Sequence, residues 1–595
     1  MTGERFRHIL PFGAELAEEG GTRFRFWAPG VEAAAVAFAD GHEVPMAAEA
    51  DGWFSVTTTA PAGTRYRYRV APDLLVPDPA SRAQDGDVGG WSIVVDAHAY
   101  RWRDGDWRGR PWHETVLYEL HPGLFGGFRG IAEELPRLAA LGVTAVELMP
   151  IADFAGTRNW GYDGVLPFAP DEAYGTPDEL KALVDAAHGL GLMIFLDVVY
   201  NHFGPEGNWL HAYAPTFFAE AHHTPWGAAI DFTRMPVRDL FIENAIHWLV
   251  EYRMDGLRFD AVHAIEASPG EDMLQEMARR IRATVGPDRD VHLVLEHDDN
   301  AARHLRRDLY DAQWNDDAHH CLHVLLTGES DGYYADYAQA PAALLARCLG
   351  QGFAYQGEPS VHRDGLERGE PSTHLPPTAF VQFLQNHDQI GNRALGERLD
   401  ALAPPAAMAA ARALLLLAPQ IPMLFMGEEW ACRTPFLYFT DFTGALAEAV
   451  RDGRRREFAR FAAFARPEAQ AAIPDPNDPA TFAASRPDPG GAGHAEALAR
   501  TTALLALRRA EITPRLPGAV SLGADAIGPA AVRASWRLGD GRLFRLLCNL
   551  GADPVQVQPE TAAPLHATPP DAAAGLPEGS LPGFATVWFL DGRAA

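Results

Sequence analysis

The chain has 595 residues and a mass of 64.8 kDa, enough for about four domains, or fewer if one is a large barrel. Hydrophobic residues make up 47% and charged residues 22%, which excludes a disordered chain and indicates large buried cores. The 50 Lys and Arg against 79 Asp and Glu give a net charge of −29, which argues against nucleic acid and anionic membrane surfaces as partners. The most apolar stretch, residues 413–426, is interrupted by prolines and is shorter than the roughly 18 apolar residues of a membrane span.

Cysteine content and the first residues together predict a cytoplasmic protein. The four cysteines have neither the density of a disulfide framework nor CxxC spacing, which favours a reducing compartment. Residues 1–20 mix charged residues with short apolar pieces and lack a continuous apolar segment, so we expect no secretion signal.

The first predicted unit along the chain spans residues 1–110. Short β-rich segments alternate there with turns such as Asp40-Gly41, which predicts a glucan-binding-like N-terminal β-sandwich. At Thr115 the pattern changes to short apolar strands alternating with longer amphipathic helices. This change marks a domain boundary.

Residues 111–515 are predicted to form a catalytic (β/α)8 TIM barrel, an α/β fold. Its eight strands are expected at residues 116–121, 143–149, 193–199, 256–260, 291–296, 312–315, 380–385 and 423–426. A loop insertion near residues 200–235 is rich in Gly, Pro, His and aromatic residues, and its length indicates a functional segment. Residues 516–595 are predicted to form a C-terminal antiparallel β domain.

Carboxyl residues stand at the ends of four predicted barrel strands, where TIM barrels carry their chemistry. Asp197, Asp260 and Glu296 end the third, fourth and fifth strands, and Asp388 follows the seventh. Each alone is readily explained as a helix N-cap, but four at one mouth are not. Crowded carboxylates raise one another's pKa values, and a protonated acid beside an ionised carboxylate is what glycosidic bond cleavage requires.

The neighbours of these carboxyl residues suit a sugar site. Arg258 lies two residues before Asp260 on one strand, so we expect it to keep Asp260 ionised and to favour Asp260 as nucleophile; a structural ion pair is compatible with this. His202 and His387 stand beside carboxylates and are candidates for donating to hydroxyls, with a structural role as the alternative. Aromatic residues in the mouth loops are candidates for stacking on sugar rings, although most such residues pack: Trp160, Tyr162, Trp209, Trp226, Tyr355 and Trp430.

Metal and nucleotide chemistry have little support. His319 and His323 are four residues apart on a predicted helix, but two ligands do not make a metal site, so we expect none. The chain contains no P-loop and no strand-linked GxGxxG motif.

Four motif regions resemble those of the α-amylase family of retaining glycosidases. They are Asp197-Val198-Val199-Tyr200-Asn201-His202, Gly256-Leu257-Arg258-Phe259-Asp260, Leu295-Glu296 and Gln385-Asn386-His387-Asp388. The resemblance implies that Asp260 is the nucleophile, Glu296 the general acid and base, and Asp388 the carboxylate that stabilises the transition state. It implies a subsite for the cleaved glucose lined by Arg258, His202, His387, Tyr162 and Asp197.

Further fragments are similar to the members of this family that act on maltooligosyl trehalose. They include NWGYDG at residues 159–164, QWNDD at 313–317 and QNHDQIGNR at 385–393. The implied reaction is hydrolysis of the α-1,4 bond next to the terminal trehalose unit, releasing trehalose and a maltooligosaccharide. These members do not generally depend on calcium, so no cofactor is expected, and Asn201, a calcium ligand in many α-amylases, is expected to bond loop backbone.

Two positions depart from the family pattern and leave other readings open. His297 and Ala264 stand where amide, acidic or basic residues are expected, which leaves the subsites beyond the cleaved bond uncertain. His263 is the candidate for a contact there, with core packing as the alternative, and Trp226 is a further candidate for substrate binding. The competing functions are a glucan branching or debranching enzyme, a general α-amylase, a transglycosylase, and a non-catalytic glucan-binding protein, which would lose part of the triad.

Overall fold

The computed structural model describes residues 6–592 except 18–19, 225–226, 267–272, 460–463 and 465. The N-terminal part is a sandwich of two antiparallel sheets, as predicted. One sheet contains Gly13–Leu16, Thr22–Trp27, Ala47–Ala48 and Trp53–Thr58, and the other Ala35–Phe38, Glu43–Pro45, Arg65–Ala71, Leu74–Val76, Gln84–Asp85 and Trp91–Ile93. Alternate residues of Thr22–Trp27 are buried, which is the pattern of strands covered on one face.

Eight parallel strands close into a barrel, and one lies at each of the eight predicted positions, although several ends differ from the prediction. In chain order they are β1 Leu117–Leu120, β2 Ala145–Leu148, β3 Met193–Val198, β4 Gly256–Phe259, β5 His292–Leu295, β6 Ala312–Trp314, β7 Phe380–Gln382 and β8 Ile421–Phe425. Every residue in them is buried, because the barrel interior covers one face and the helices the other. The predicted start of β8 at Met423 is wrong: Pro422 lies inside the strand, in register with Gln382 of β7.

Helices surround the barrel in the expected alternation. The longer ones are Gly127–Leu141, Pro177–Gly189, Met235–Val250, Met273–Val285, Asp316–Thr327, Pro341–Gln351 and Pro405–Leu417. The helix Pro177–Gly189 begins where the sequence predicts, because the Thr176 hydroxyl accepts from the Glu179 N–H and the Glu179 carboxylate accepts from the Thr176 N–H. Within the insertion near 200–235, a helical turn Leu210–Tyr213 precedes the hairpin Phe218–Thr224 and Gly227–Ile230.

The C-terminal part is an antiparallel sheet, as predicted, and it packs on the barrel. Its strands are Val520–Gly528, Ala531–Arg537, Leu543–Asn549, His566–Thr568 and Ala585–Leu590. The Trp588 indole N–H donates to the Ala413 carbonyl at 3.1 Å, and the Thr586 hydroxyl donates to the Ala410 carbonyl at 2.9 Å, so the last strand lies against the helix Pro405–Leu417.

The helices of the described ranges differ in length and hydropathy. None of the helices there is both long and apolar enough to cross a membrane.

Candidate active site

Arg258 joins three of the predicted carboxylates at the barrel mouth. Its Nη1 lies 2.6 Å from Oδ2 of Asp197 and 2.9 Å from Oδ1 of Asp260, and its Nη2 lies 2.8 Å from Oε2 of Glu296. The guanidinium also stacks 4.2 Å from the ring of Trp314 on β6. Residues from the ends of β3, β4 and β5 therefore meet at one cation, as the strand-end argument predicts.

The Asp260 and Glu296 carboxyl groups have opposite pKa shifts. Burial raises the pKa of Asp260 well above its ordinary value, and the neighbouring Glu296 charge raises it further against the attraction of Arg258. Burial also acts on Glu296, but Arg258 and the Ala261 N–H, which donates to Glu296 Oε2 at 2.8 Å, outweigh it and lower the pKa of Glu296. The two groups thus share one proton as a pair. Arg258 lowers the pKa of Asp260, the direction that the sequence predicts, while burial and Glu296 raise it, so the ionised state of Asp260 stays a prediction.

Asp388 lies at the same mouth, after β7. Its backbone N–H donates to Oδ1 of Asn386 at 2.9 Å, and its Oδ1 accepts from the side-chain amide of Asn392 at 2.5 Å. Burial raises its pKa, and the nearby Glu296 charge adds to the effect of burial against His387 and Arg258. The fourth predicted carboxylate is therefore brought to the same cluster.

A short loop after β2 places Tyr162 over the site. The Tyr162 hydroxyl donates to Oδ2 of Asp197 at 2.5 Å, and burial beside that carboxylate raises its pKa, so it stays a neutral donor. Gly161 has φ of +102°, and a Cβ there would lie 2.1 Å from the Pro150 carbonyl oxygen, so this turn requires glycine. His202 donates from Nε2 to the Tyr162 carbonyl at 2.9 Å, and burial lowers the pKa of His202 to about 4. His202 thus supports the Tyr162 loop, and its direct contact with sugar stays a prediction.

The ring of His387 lies between this loop and β1. It stacks on Tyr162 with centroids 5.0 Å apart, and its Nδ1 makes a short hydrogen bond to the Glu119 carboxylate. The site therefore contains all the residues that the sequence places around the cleaved glucose.

The remaining predictions have mixed outcomes. His263 lies just after the nucleophile position, with its ring centroid 6.2 Å from that of His297, so it remains a candidate beyond the cleaved bond. Trp226 lies outside the described residues. Trp160 packs against Phe436 and donates to the Leu437 carbonyl, which makes it part of the core rather than a stacking surface. Three further aromatic residues were candidates for stacking on sugar rings. Tyr355 and Trp430 are buried, whereas Trp209 is exposed.

His319 and His323, whose spacing in the sequence makes them candidate metal ligands, contact other residues. Over the described part of the chain, no group of three or more His, Cys, Asp or Glu residues is arranged to hold a metal ion. His319 contacts the Leu384 carbonyl and the Tyr334 hydroxyl, and His323 contacts Glu329. The expected bond from Asn201 to loop backbone is wrong: both polar atoms of its buried amide lack a hydrogen-bond partner among the described residues.

Two buried acids of the barrel strands escaped the sequence reasoning. Glu119 and Glu147 lie opposite each other on β1 and β2, and each is about 1% exposed. Each is the single charged residue of an otherwise apolar barrel strand, LYEL and AVEL. A charge inside a fully buried strand is the signal that would have found them.

Comparison with known proteins agrees with this architecture. Residues 81–226 match the alpha amylase catalytic domain, and residues 11–99 match carbohydrate-binding module 48, the isoamylase N-terminal domain. Residues 520–588 match a domain of unknown function (DUF3459). The closed barrel and these matches define a protein of the α-amylase class.

Individual relatives narrow the class. A Deinococcus radiodurans protein named malto-oligosyltrehalose trehalohydrolase is 41% identical over 508 residues, which cover 84% of this chain and 82% of that protein. A Saccharolobus solfataricus protein of the same name is 39% identical over 461 residues, covering 75% and 80%. A Salmonella typhimurium crystal structure, described as a candidate alpha amylase, has a TM-score of 0.92 and 44% identity, covering 98% of this chain and 100% of that one. The chain belongs to the malto-oligosyltrehalose trehalohydrolase family.

Proposed function

We propose that this protein is a retaining glycoside hydrolase that cleaves the α-1,4-glucosidic bond next to the terminal trehalose of maltooligosyl trehalose. The products are trehalose and a maltooligosaccharide. The observation that carries the proposal is the joining of Asp260 and Glu296 to one guanidinium at the barrel mouth, since a carboxyl pair sharing a proton is what retaining hydrolysis requires. The names of the family relatives support the substrate.

The first step forms a covalent intermediate. The reaction starts from the protonation state of the pair in which Glu296 carries the proton and Asp260 is ionised. Glu296 gives the proton to the glycosidic oxygen, while an Asp260 oxygen attacks the anomeric carbon. The bond between that carbon and the glycosidic oxygen breaks, and trehalose leaves as a neutral sugar. Asp260 is then esterified to the maltooligosyl unit, and Glu296 is left ionised beside Arg258.

The second step returns the site to its starting state. Glu296 takes a proton from a water molecule, and the water oxygen attacks the same anomeric carbon. The ester bond to Asp260 breaks, which frees the carboxylate. Two inversions leave the maltooligosaccharide with its original α configuration.

The surrounding residues hold the sugar. Asp388 and His387 bind ring hydroxyls of the cleaved glucose, Tyr162 covers its face, and the pair of Asp197 and Arg258 sets the charge balance around Asp260. His202 holds the Tyr162 loop in place through its hydrogen bond to the Tyr162 carbonyl.

Beyond the cleaved bond, His263 and Trp226 are the proposed contacts to trehalose. The ligands of the site are maltooligosyl trehalose and maltooligosaccharides. We also infer a cytoplasmic location, supported by the four cysteines, all of which are buried free thiols.

The test compares two substrates of similar length. The purified protein is incubated with maltotriosyl trehalose and separately with maltopentaose, with an Asp260→Asn variant as the inactive control, and products are separated against a trehalose standard. We expect trehalose and maltotriose from the first substrate and little change in the second. Equal cleavage of both, or longer and branched products, would move the function to a general amylase, branching enzyme or transglycosylase.

A further inference from the structure

Glu119 occupies a place that the proposed mechanism does not use. It lies on β1 at the barrel mouth, about 1% exposed, and both of its carboxylate oxygens face one residue. Oε2 accepts the backbone N–H of His387 at 3.2 Å, and Oε1 makes a short hydrogen bond with Nδ1 of the same residue. A fully buried carboxylate is costly unless it is paired, so this contact is a strong constraint on the imidazole.

The contact decides what the other ring nitrogen can do. A carboxylate only accepts hydrogen bonds, so Nδ1 of His387 carries a proton and donates it to Glu119. Nε2 is the remaining ring nitrogen, and the ring plane is held by the stacked Tyr162 and by the edge of Trp160, 5.7 Å away. The orientation of His387 is therefore fixed by three contacts from two separate elements.

We propose that Glu119 is a positioning residue that holds His387 as an imidazolium, so that its Nε2–H donates to a hydroxyl of the cleaved glucose. The inference rests on the proposed function, because it assigns the sugar as the partner of Nε2. A neutral imidazole with its proton on Nδ1 would offer only an acceptor there. Glu119 thus favours the form of His387 that donates from Nε2.

The charges around His387 support this assignment. Burial lowers the pKa of His387, but the charge and hydrogen bond of Glu119 outweigh burial and raise it overall. The charged and titratable groups that act on the ring are Glu119, Asp388, Arg258, Asp197, Glu296 and His121. Arg258 and His121 oppose the imidazolium, so Glu119 supplies the leading attraction.

Glu147 provides a matched control on the next strand. It lies opposite Glu119 in the strand register, yet neither of its oxygens has a hydrogen-bond partner among the described residues. Burial and the Glu119 charge raise its pKa well above the ordinary value, which favours the protonated, neutral form. Replacing it with glutamine therefore changes no charge, whereas the same replacement at Glu119 removes one.

The test measures kcat/KM for trehalose release from maltotriosyl trehalose against pH for the full chain, Glu119→Gln and Glu147→Gln. In Glu119→Gln the pKa of His387 falls. Glu296 must also be protonated for the first step, so the alkaline limb moves to lower pH in this variant only if His387 must be protonated as well. Each whole pH step by which the limb moves costs about tenfold in kcat/KM above it. Near pH 5 the variant approaches wild type, and Glu147→Gln follows wild type throughout. A Glu119→Gln profile parallel to wild type at every pH, whether unchanged or uniformly lowered, overturns the proposal.

A double-mutant cycle tests whether Glu119 acts through His387. In a His387→Asn background, adding Glu119→Gln should change kcat/KM by less than about twofold, because the pair acts as a unit. Independent, additive losses overturn the assignment. If the wild-type protein releases no trehalose, the proposed function fails by itself. The same variants are then compared on maltopentaose, where the movement of the alkaline limb still decides the role of Glu119.

Discussion

At the scale of single residues, Arg258 balances three carboxylates with the two terminal nitrogens of one guanidinium. Removing three acids from water beside a single cation leaves a net negative cluster, and that cluster keeps a proton. This explains why the Asp260 and Glu296 carboxyls share a proton when both are close to an arginine. The feature that suits the site for acid catalysis is therefore an excess of carboxylates over cations.

Azide rescue separates the roles of the two carboxyls. Asp260→Ala should lose about four orders of magnitude or more in kcat, because the covalent path is closed. Azide then enters from the vacated side and gives a β-glycosyl azide. In Glu296→Ala azide replaces water in the second step and gives the α-glycosyl azide. NMR identifies the anomer of the glycosyl azide that each variant forms. An α-glycosyl azide from Asp260→Ala would contradict the assignment of Asp260 as nucleophile.

Removing the charge of Glu296 should change the pKa of Asp260. The pKa of Asp260 is raised by burial and by Glu296, so Glu296→Gln removes one cause and lowers it. The acid limb of hydrolysis of maltotriosyl fluoride, whose leaving group needs no proton, should shift to lower pH in Glu296→Gln. Initial rates of fluoride release measure it. An unchanged or rising acid limb would show that the two carboxyls do not interact.

At the scale of elements, the antiparallel strands Ala152–Asp153 and Leu166–Pro170, which follow β2, bring together a second buried acidic pair, Asp153 and Asp171. Burial raises the pKa of Asp171 to about 8 and that of Asp153 well above its ordinary value. Asp171 accepts the N–H groups of Phe154 and Ala173, whereas neither oxygen of Asp153 has a hydrogen-bond partner among the described residues. Asp171 is therefore held by two backbone hydrogen bonds, whereas Asp153 contributes only repulsion when it is ionised.

Asp153→Asn should stabilise the protein at alkaline pH. Because the folded-state pKa values are raised, the folded chain binds more protons than the unfolded chain between about pH 4 and 8, and stability falls as pH rises through that window. The advantage of the variant over wild type should grow with pH across this window and be at least about 1 kcal/mol larger at pH 8 than at pH 4. Thermal unfolding at both pH values measures it, with Asp171→Asn as the destabilised control. A lower melting temperature for Asp153→Asn at pH 8 would contradict this account.

Element prediction from the sequence succeeded where the signal is local. Fully buried parallel strands are short apolar runs between amphipathic helices, so all eight barrel strands could be found. The strand-end carboxylates followed from that placement. The Glu119 contact could not, because Glu119 and His387 are 268 residues apart and nothing near either residue reports the other. The proton sharing of Asp260 also depends on burial, which spacing does not reveal.

At the scale of the whole molecule, a buried ion cluster joins the N-terminal sandwich to the barrel. Arg82 lies 2.6 Å from Glu15 and 3.4 Å from Glu251, which follows the helix Met235–Val250, and all three side chains are at least nine-tenths buried. Glu251 also meets Lys181 at 3.5 Å. The sandwich is thus fixed on the side of the barrel through charges that water does not screen.

Breaking this cluster should affect stability and leave chemistry alone. Arg82→Ala removes the buried cation that Glu15 and Glu251 share and should cost roughly 3–5 kcal/mol of unfolding free energy. Because Arg82 lies outside the candidate site, kcat per folded molecule should match wild type below the melting transition. Thermal unfolding measures the loss of stability, and the rate of trehalose release measures kcat. A large loss of kcat with an unchanged melting temperature would show that the sandwich takes part in substrate binding.

Proton NMR during turnover of maltotriosyl trehalose tests the central claim most directly, because one spectrum reports both the bond cleaved and the stereochemistry. The account predicts that trehalose and the α anomer of maltotriose appear first, at equal rates, and that the β anomer follows only by mutarotation. The β anomer appearing first, or glucose and maltose appearing without trehalose, would contradict a retaining hydrolase of the bond next to trehalose.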